Sequence, residues 1–400
     1  MKTINFSAAL KASSYLMALL FMSNAQVANA KNQVGFGSPE AVENRIEEDK
    51  KNRVLPLKER LAADGVNLAL DYSLLTLGTS DNLPGTDDSA AGGMLRFYGS
   101  WDLTGKDSGS TGSFVWKVEH RHSYSDLEPR FVEFNVGGLG LQAPPFSDQK
   151  GRVTNLYWKQ KLNDGRATIV AGFLDATDYL DVYAVASPWT GFVNFAFSTG
   201  NNTIALPGDA TLGVAGATML GENFFVIAGI TDMESDPTSP FSDLLDESNL
   251  FKSIEFGWTS SQEQIFLDNV HVTFWDADES IFMNQAEDSG VNISASKMFG
   301  AWLPFVRASW AENGSLLGID KSISTGFAYY GLGGEGNTLG AAVNWADTAT
   351  EDQYTLEVFY LLKLFGSVEL SPDIQFIKNP ANNPNEDLAM IYGLRARVFW

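Results

Sequence analysis

The stretch that most constrains the fold of this chain is its last thirteen residues, Leu388 to Trp400. Every second position counted back from Trp400 is apolar, whereas the positions between them include Arg395 and Arg397. A period of two is the pattern of a β-strand, because successive side chains leave opposite faces of the backbone. The stretch therefore predicts a strand with one unbroken apolar face and one polar face.

A strand of this kind is typical of transmembrane β-barrels, whose strands alternate between lipid outside and water inside. The aromatic final residue resembles the C-terminal signature of bacterial outer-membrane proteins, which usually end in Phe rather than Trp. We therefore expect the C-terminal strand to be recognised by the barrel-assembly machinery and the protein to contact outer-membrane lipid. A two-sheet sandwich is the soluble alternative.

The beginning of the chain predicts export. Lys2 and Lys11 precede an apolar run at 15–22, and Ala28-Asn29-Ala30 forms a small-residue cleavage site. This order is typical of a secretory signal, so we expect residues 1–30 to be a signal peptide. Residues 31–64 are expected to be a helical or flexible periplasmic extension at the barrel mouth, and residues 65–400 the barrel. No later stretch is apolar enough to span a membrane as a helix, which leaves a barrel.

Composition excludes several function classes. The formal net charge is −22, which argues against nucleic acid as a partner because nucleic acid attracts basic surfaces. Cysteine is absent, so disulfides and thiolate metal sites are excluded, and only 3 histidines are present. We expect no cofactor.

The period-two pattern recurs from residue 66 onward and gives about sixteen strands of the length a tilted membrane strand needs. Asn163-Asp164-Gly165 is a tight hairpin signal between two of them. Short turns alternate with longer connections at 125–151, 175–209, 233–250, 278–289 and 378–387. An even strand number with short turns on one side and long loops on the other predicts an all-β, antiparallel up-and-down transmembrane barrel.

Several stretches in order along the chain resemble the carbohydrate-selective porins of Gram-negative bacteria, the OprB family. They are Leu61–Tyr72 (LAADGVNLALDY), Arg152–Gln160 (RVTNLYWKQ), Asp164–Arg166 (DGR), Ala171–Asp175 (AGFLD) and Leu370–Pro380 (LSPDIQFIKNP). The resemblance implies a sixteen-stranded outer-membrane porin that passes monosaccharides or similar small solutes after a short periplasmic helical start. It does not imply selectivity for one sugar.

A sixteen-stranded barrel is wide enough for an aqueous channel, so loops must fold inward to narrow it. The best candidate is loop 175–209, which carries Tyr179, Tyr183 and Trp189. Their rings could stack on the apolar face of a sugar, or they could pack the loop against the inner wall. Loop 125–151, with Glu133, is expected to add to the constriction.

Charged residues on the predicted inward faces are the other candidates for the pore lining. Arginine and acid groups opposed across a lumen produce a transverse field and bind hydroxyl groups; the alternative is a set of wall-lining salt bridges. We expect Arg96, Glu119 and Arg121 to be close together because they come from neighbouring strands. The full set is Arg96, Glu119, Arg121, Glu255, Arg307, Glu357, Glu369, Asp373, Arg395 and Arg397.

The leading hypothesis is a porin for passive diffusion of small hydrophilic solutes, favouring carbohydrates. The alternative is a general ion-permeable porin with weak cation preference. An outer-membrane enzyme is disfavoured, because His271 lies on an inward face beside Thr273 but the sequence pairs no acid with it. His120 and His122 share an outward face, so no metal site is expected. A homotrimer remains open.

Overall fold

A computed structural model shows the architecture of residues 36–42, 44–46, 56–106, 108–208, 211–234, 236, 238, 249–314 and 317–400. The expected signal peptide, residues 1–30, lies outside these residues. Sixteen antiparallel strands follow one another around a closed barrel, and β1 pairs with β16. The predicted fold class and strand number are confirmed.

The strands differ in length, and all sixteen lie in the part of the chain, from residue 66 onward, where the period-two pattern recurs. In chain order, β1 to β16 are Val66–Thr79, Ser89–Thr104, Gly112–Ser123, Lys150–Leu162, Ala167–Leu174, Thr211–Leu220, Phe224–Asp232, Leu250–Thr259, Asn269–Ala277, Asp288–Ser296, Trp302–Ala311, Ile319–Tyr330, Thr338–Thr348, Gln353–Leu364, Val368–Lys378 and Leu388–Phe399.

The two faces of the wall differ as the sequence predicts. In β16 the residues Leu388, Tyr392 and Leu394 are exposed on the outside, whereas Arg395 and Arg397 are buried inside. The exposed apolar band faces lipid, because the hydrocarbon core excludes charged side chains. Inward positions of the strands carry buried charged side chains such as Arg96, Glu357 and Arg397.

The connections alternate in length around the barrel. After even-numbered strands they are short turns: Asn163 and Asp164 adopt φ of 53° and 56°, the left-handed conformation that a tight hairpin requires. After most odd-numbered strands they are longer loops, although the connection after β13 is only residues 349–352. Two of the long loops are residues 124–149 (loop L2) and residues 175–208 (loop L3), the latter being the described part of the β5–β6 connection.

Helices are few among the described residues. Helix α1 spans Pro56–Ala63 and leads into β1, and helix α2 spans Val132–Asn135 in loop L2. None of the helices in the described part of the chain is long and apolar enough to cross a membrane. Short 3₁₀ segments lie at Pro129–Phe131, Ala176–Asp178, Phe195–Phe197, Thr199–Asn202 and Gln262–Gln264.

Residues 36–46, apart from residue 43, differ from the expected position at the barrel mouth. The Ser38 hydroxyl accepts a hydrogen bond from the backbone N–H of Glu40. Val42 and Ile46 are 0% and 6% exposed and belong to the same apolar cluster as Tyr98, an inward-facing residue of β2. This part of the predicted extension therefore lies within the barrel, where two small apolar side chains can be buried.

The outward apolar face generates a stability prediction. Leu394 lies mid-strand on the outside of β16 and is 43% exposed, whereas Leu388 lies at the strand end. Leu394→Arg is expected to destabilise the barrel by about 2–4 kcal/mol, because the midplane of a bilayer is the costliest depth for a cation. Leu388→Arg is the control and should cost about 0–1 kcal/mol. Reversible urea unfolding in lipid vesicles measures both, and equal costs would contradict the placement of this face.

Candidate functional site

Loops L2 and L3 fold into the barrel and hydrogen-bond to each other. The backbone N–H of Ala143 in L2 donates to Val193 O in L3 at 2.6 Å, and Phe195 N donates to Leu141 O at 2.9 Å. Phe146 of L2 and Tyr183 of L3 are fully buried. The two loops thus form one inward-folded body inside the wall.

The aromatic side chains of L3 pack against the wall and the neighbouring loop. The ring of Tyr183 lies 5.0 Å from that of Phe305 in β11, and Trp189 lies 5.4 Å from Phe146 of L2. Tyr179 lies so close to β7 that a Cβ added at Gly229 would be 2.6 Å from its hydroxyl oxygen and 2.9 Å from its ring. Of the two interpretations of these rings, the structure supports packing. The expectation that all three are available to stack on a sugar is corrected, since they are 8% exposed or less.

Asp71 lies between two arginines where the barrel closes. It accepts two hydrogen bonds from Arg96 of β2, at 2.8 and 2.7 Å, and one from Arg397 of β16 at 2.7 Å. Arg397 also lies 3.5 Å from the carboxylate of Glu369 in β15. We call Asp71, Arg96, Glu369 and Arg397 the arginine cluster. All four are buried, so each charge depends on its partners for stabilisation.

The expected contact among Arg96, Glu119 and Arg121 is present only in part. Arg121 donates to the Glu119 carboxylate at 2.8 and 2.5 Å. Arg96 is paired with Glu119 across the β2–β3 ladder, but its guanidinium bonds to Asp71 and lies 3.9 Å from the ring centroid of Trp189. A bidentate carboxylate on one side and an aromatic face on the other explain this direction.

Asp181 anchors L3 to the opposite wall. Its carboxylate bonds to the Arg307 guanidinium of β11, accepts the backbone N–H of Gly200 at 2.7 Å and lies 2.8 Å from His271 Nε2 of β9. Its own N–H donates to Glu255 of β8 at 2.9 Å. Burial raises the pKa of Asp181, but Arg307 and the His271 hydrogen bond outweigh it, so the pKa lies below its ordinary value. The sequence alone pairs no acid with His271. In the structure its acidic partner is Asp181, which lies in the distant loop L3.

Glu357 and Arg395 hold the other end of L3. The Glu357 carboxylate accepts the backbone N–H groups of residues 193 and 194, at 2.5 and 2.9 Å. Arg395 donates to the carbonyls of residues 188 and 191, at 2.6 and 2.9 Å. Asp373, beside them, accepts from Gln375 at 3.0 Å. Glu357 and Arg395 therefore bond to the loop backbone as well as face inward.

Glu133 in helix α2 is a buried carboxyl where L2, L3 and the wall meet. It accepts hydrogen bonds from Gln142 at 2.7 Å, Asn194 at 2.8 Å and Gln353 at 3.2 Å. Burial raises the pKa of Glu133 to about 7, because the three neutral amides only partly offset the lost hydration. Its ionisation state therefore changes near neutral pH.

The structure places all thirteen predicted pore-lining residues inside the barrel. His120 and His122 lie on the outward face as expected, with ring centroids 5.4 Å apart. The described residues contain no group of three or more His, Cys, Asp or Glu arranged to hold a metal ion. Asp71, Asp181 and Glu40 also belong to the site, although the sequence pattern does not predict them as site residues. Only Asp71 carried a signal, since it faces inward opposite Arg96 in the strand ladder.

The arrangement supports selective diffusion through a polar lumen. In the arginine cluster, Arg397 Nε and Nη1 and Glu369 Oε2 make no hydrogen bond within the described part of the chain. Forked cationic donors beside carboxylate acceptors bind the hydroxyl groups of polar solutes. A sixteen-stranded antiparallel barrel with inward-folded loops and a charged interior defines a porin-type β-barrel.

Solved structures agree with this class of fold. The high-pH structure of Pseudomonas putida OprB matches with a TM-score of 0.71 at 14% identity, covering 86% of this chain and 96% of that one. The low-pH structure of the same protein gives 0.52 at 15% identity, covering 86% and 95%. A triple mutant of Rhodopseudomonas blastica porin gives 0.53 at 13% identity, covering 84% and 100%.

The family comparison is narrower in extent and more specific. Residues 284–399, which include strands β10 to β16, match the model of the carbohydrate-selective porin, OprB family. A search of curated protein sequences gives no match. The resemblance to the OprB family is thereby confirmed.

The pKa of Glu133 predicts a pH dependence of stability. An ordinary Glu titrates near 4.5 and this one near 7, so the contribution of the neutral carboxyl is full below about pH 4.5 and is lost as the pH rises through about 7. When the pH is raised from 5 to 8, the free energy of unfolding of Glu133→Gln should therefore increase by about 2 kcal/mol relative to that of the native protein. Thermal unfolding at both pH values measures the gain. The exposed Glu279→Gln is the control, and a gain equal in both variants would contradict the assignment.

The contacts of Asp181 lead to a prediction about the attachment of L3 to the barrel wall. Asp181→Asn removes the counter-charge of the buried Arg307 and the nearer of the two carboxylates beside His271, and breaking a buried ion pair costs about 3–5 kcal/mol. We expect L3 to detach, with more frequent current fluctuations in single channels and faster cleavage of the loop by chymotrypsin. The control is Asp148→Asn, which removes an exposed ion pair with Lys150. Unchanged cleavage and current noise would show that other contacts suffice to hold the loop.

Proposed function

We propose that this protein is an outer-membrane porin for the passive diffusion of small hydrophilic solutes, favouring carbohydrates such as monosaccharides. The observation that carries the proposal is the barrel itself, with an apolar outside, a buried charged interior and two inward-folded loops. The match of residues 284–399 to the carbohydrate-selective porin model supports the solute class. The fold and this match indicate a channel rather than an enzyme.

The arginine cluster is the part of the interior best suited to bind a sugar. Most other predicted charges bond to L3, whereas Arg397 and Glu369 keep atoms without hydrogen bonds. A pyranose offers hydroxyl groups that both accept from guanidinium and donate to carboxylate. We therefore propose Arg397 and Glu369 as the first residues to test for an effect on the solute.

A general ion-permeable porin with weak cation preference is the second candidate. The observation in its favour is the formal net charge of −22, which attracts cations to the mouths of a channel. The two candidates differ in one property, since only a sugar-binding constriction holds a neutral solute long enough to interrupt ion current.

The cellular setting follows from the same proposal. We place the protein in the outer membrane of a Gram-negative bacterium, surrounded by outer-membrane lipid. Its C-terminal strand, Leu388–Phe399, would engage the barrel-assembly machinery, and a homotrimer is the assembly to be tested. The apolar outward face of β16 supports membrane insertion.

Single-channel recording in a planar bilayer tests the function. For a sugar-selective porin we expect glucose to reduce the current by more than solution viscosity does, because a bound solute blocks ions. An Arg397→Gln variant, with fewer donors, should require several-fold more glucose for the same block. Current without glucose block, together with a cation-selective reversal potential, would support the general porin instead.

Loop L3 supplies the matched control. Deleting most of residues 175–208 removes the inward-folded chain, so conductance should rise and glucose block should disappear. Unchanged conductance and sugar flux after the deletion would contradict a constriction formed by L3.

A further inference from the structure

We propose that residues 36–46, the lumenal segment, form part of the selectivity region of the pore, and that Glu40 is the residue of this segment that sets its charge preference. The proposal rests on the porin function proposed above and deepens it. Its basis is the position of a segment that the sequence pattern places outside the barrel.

The lumenal segment is attached to loop L3 by direct contacts. The backbone N–H of Ser38 donates to the carbonyl of Asp178, and a Cβ added to Gly37 would lie 2.6 Å from the same oxygen. The Ser187 hydroxyl of L3 donates to Glu40 Oε1 at 2.7 Å. The segment thus contacts two separate parts of the loop that is predicted to narrow the pore.

The apolar side of the segment explains why it stays inside. Val42 and Ile46 belong to one apolar cluster with Tyr98, Val115 and Tyr157, which are inward-facing residues of β2, β3 and β4. A side chain that leaves this cluster exposes apolar surface to water, which is unfavourable. Burial therefore keeps the segment against the wall.

Glu40 extends the arginine cluster. Its Oε2 atom lies 3.5 Å from Arg96 Nη1 and 3.5 Å from Arg45 Nε, and the residue is 8% exposed. The same oxygen accepts no hydrogen bond among the described residues. Glu40 is thus a buried acceptor that is attracted to cations and has hydrogen-bonding capacity left.

The charge balance of this region shows what Glu40 does. Arg45, Arg96 and Arg397 face the carboxylates of Glu40, Asp71 and Glu369, and Lys363 adds a cation 3.8 Å from Glu369. These four cations already exceed the three carboxylates by one, and removing the charge of Glu40 raises that excess to two. A positive excess in a narrow aqueous passage attracts anions and repels cations.

The first test is the reversal potential of the full-length protein across a potassium chloride gradient in a planar bilayer. In Glu40→Gln, the ratio of potassium to chloride permeability should fall by a factor of about two or more. The matched control is Glu222→Gln, in the turn between β6 and β7, where the carboxylate is 86% exposed beside Arg166. A ratio unchanged in Glu40→Gln, or changed equally in both variants, would overturn the proposal.

The second test asks whether position 40 lies in the conducting path. The chain contains 0 cysteines, so Glu40→Cys introduces its only thiol. Modification by a small positively charged methanethiosulfonate should reduce the current in a step, and deleting residues 36–46 should raise the conductance. Heat-modifiable migration on gels confirms that each variant has formed its barrel.

The outcomes separate this proposal from the porin function. A folded native protein that carries no current refutes the function itself. A native protein that conducts, while modification of Glu40→Cys and deletion of the segment both leave its current unchanged, refutes only the role of the lumenal segment.

Discussion

The structure depends first on closure of its hydrogen-bond ladder. In hydrocarbon, an unpaired backbone N–H or C=O costs several kcal/mol, so a sheet survives only without edges. Pairing of β1 with β16 removes the last edge, from Asp71 opposite Phe399 to Thr79 opposite Ile391. Asp71 reinforces this closure because its carboxylate bonds to Arg96 of β2 and Arg397 of β16. The ion pairs therefore lie where the first and last strands meet.

Closure also determines where the charges can go. With lipid outside, every ionisable side chain of a mid-membrane strand position must point into the lumen, where it needs water or a partner. Loops L2 and L3 provide such partners: the L3 backbone bonds to Glu357 and Arg395, and the carboxylate of Asp181 bonds to Arg307. The charged lining and the inward-folded loops thus stabilise each other, because each supplies hydrogen-bond and ion-pair partners to the other.

The sequence determines the wall of the barrel more completely than its contents. Period-two alternation depends only on neighbours along the chain, so the strands, their faces and the inward position of residues such as Arg397 could be predicted. Contacts between distant segments could not be predicted. His271 and its partner Asp181 are 90 positions apart in the sequence, and Arg395 is 207 positions from Pro188, to whose carbonyl it donates. The same limit explains Glu40, because nothing in a short polar stretch shows that two apolar side chains nearby fit inside the barrel.

These contacts imply that the buried charged residues have two different roles. Arg307, Glu357 and Arg395 bond to L3 and position the constriction, so their effect on a solute is through the loop. Arg397 and Glu369 instead pair with charged side chains of the wall, so their effect on a solute is through the charge of the lumen. Replacing a loop anchor should therefore change pore width and noise for every solute, whereas replacing Arg397 or Glu369 should change the preference among solutes.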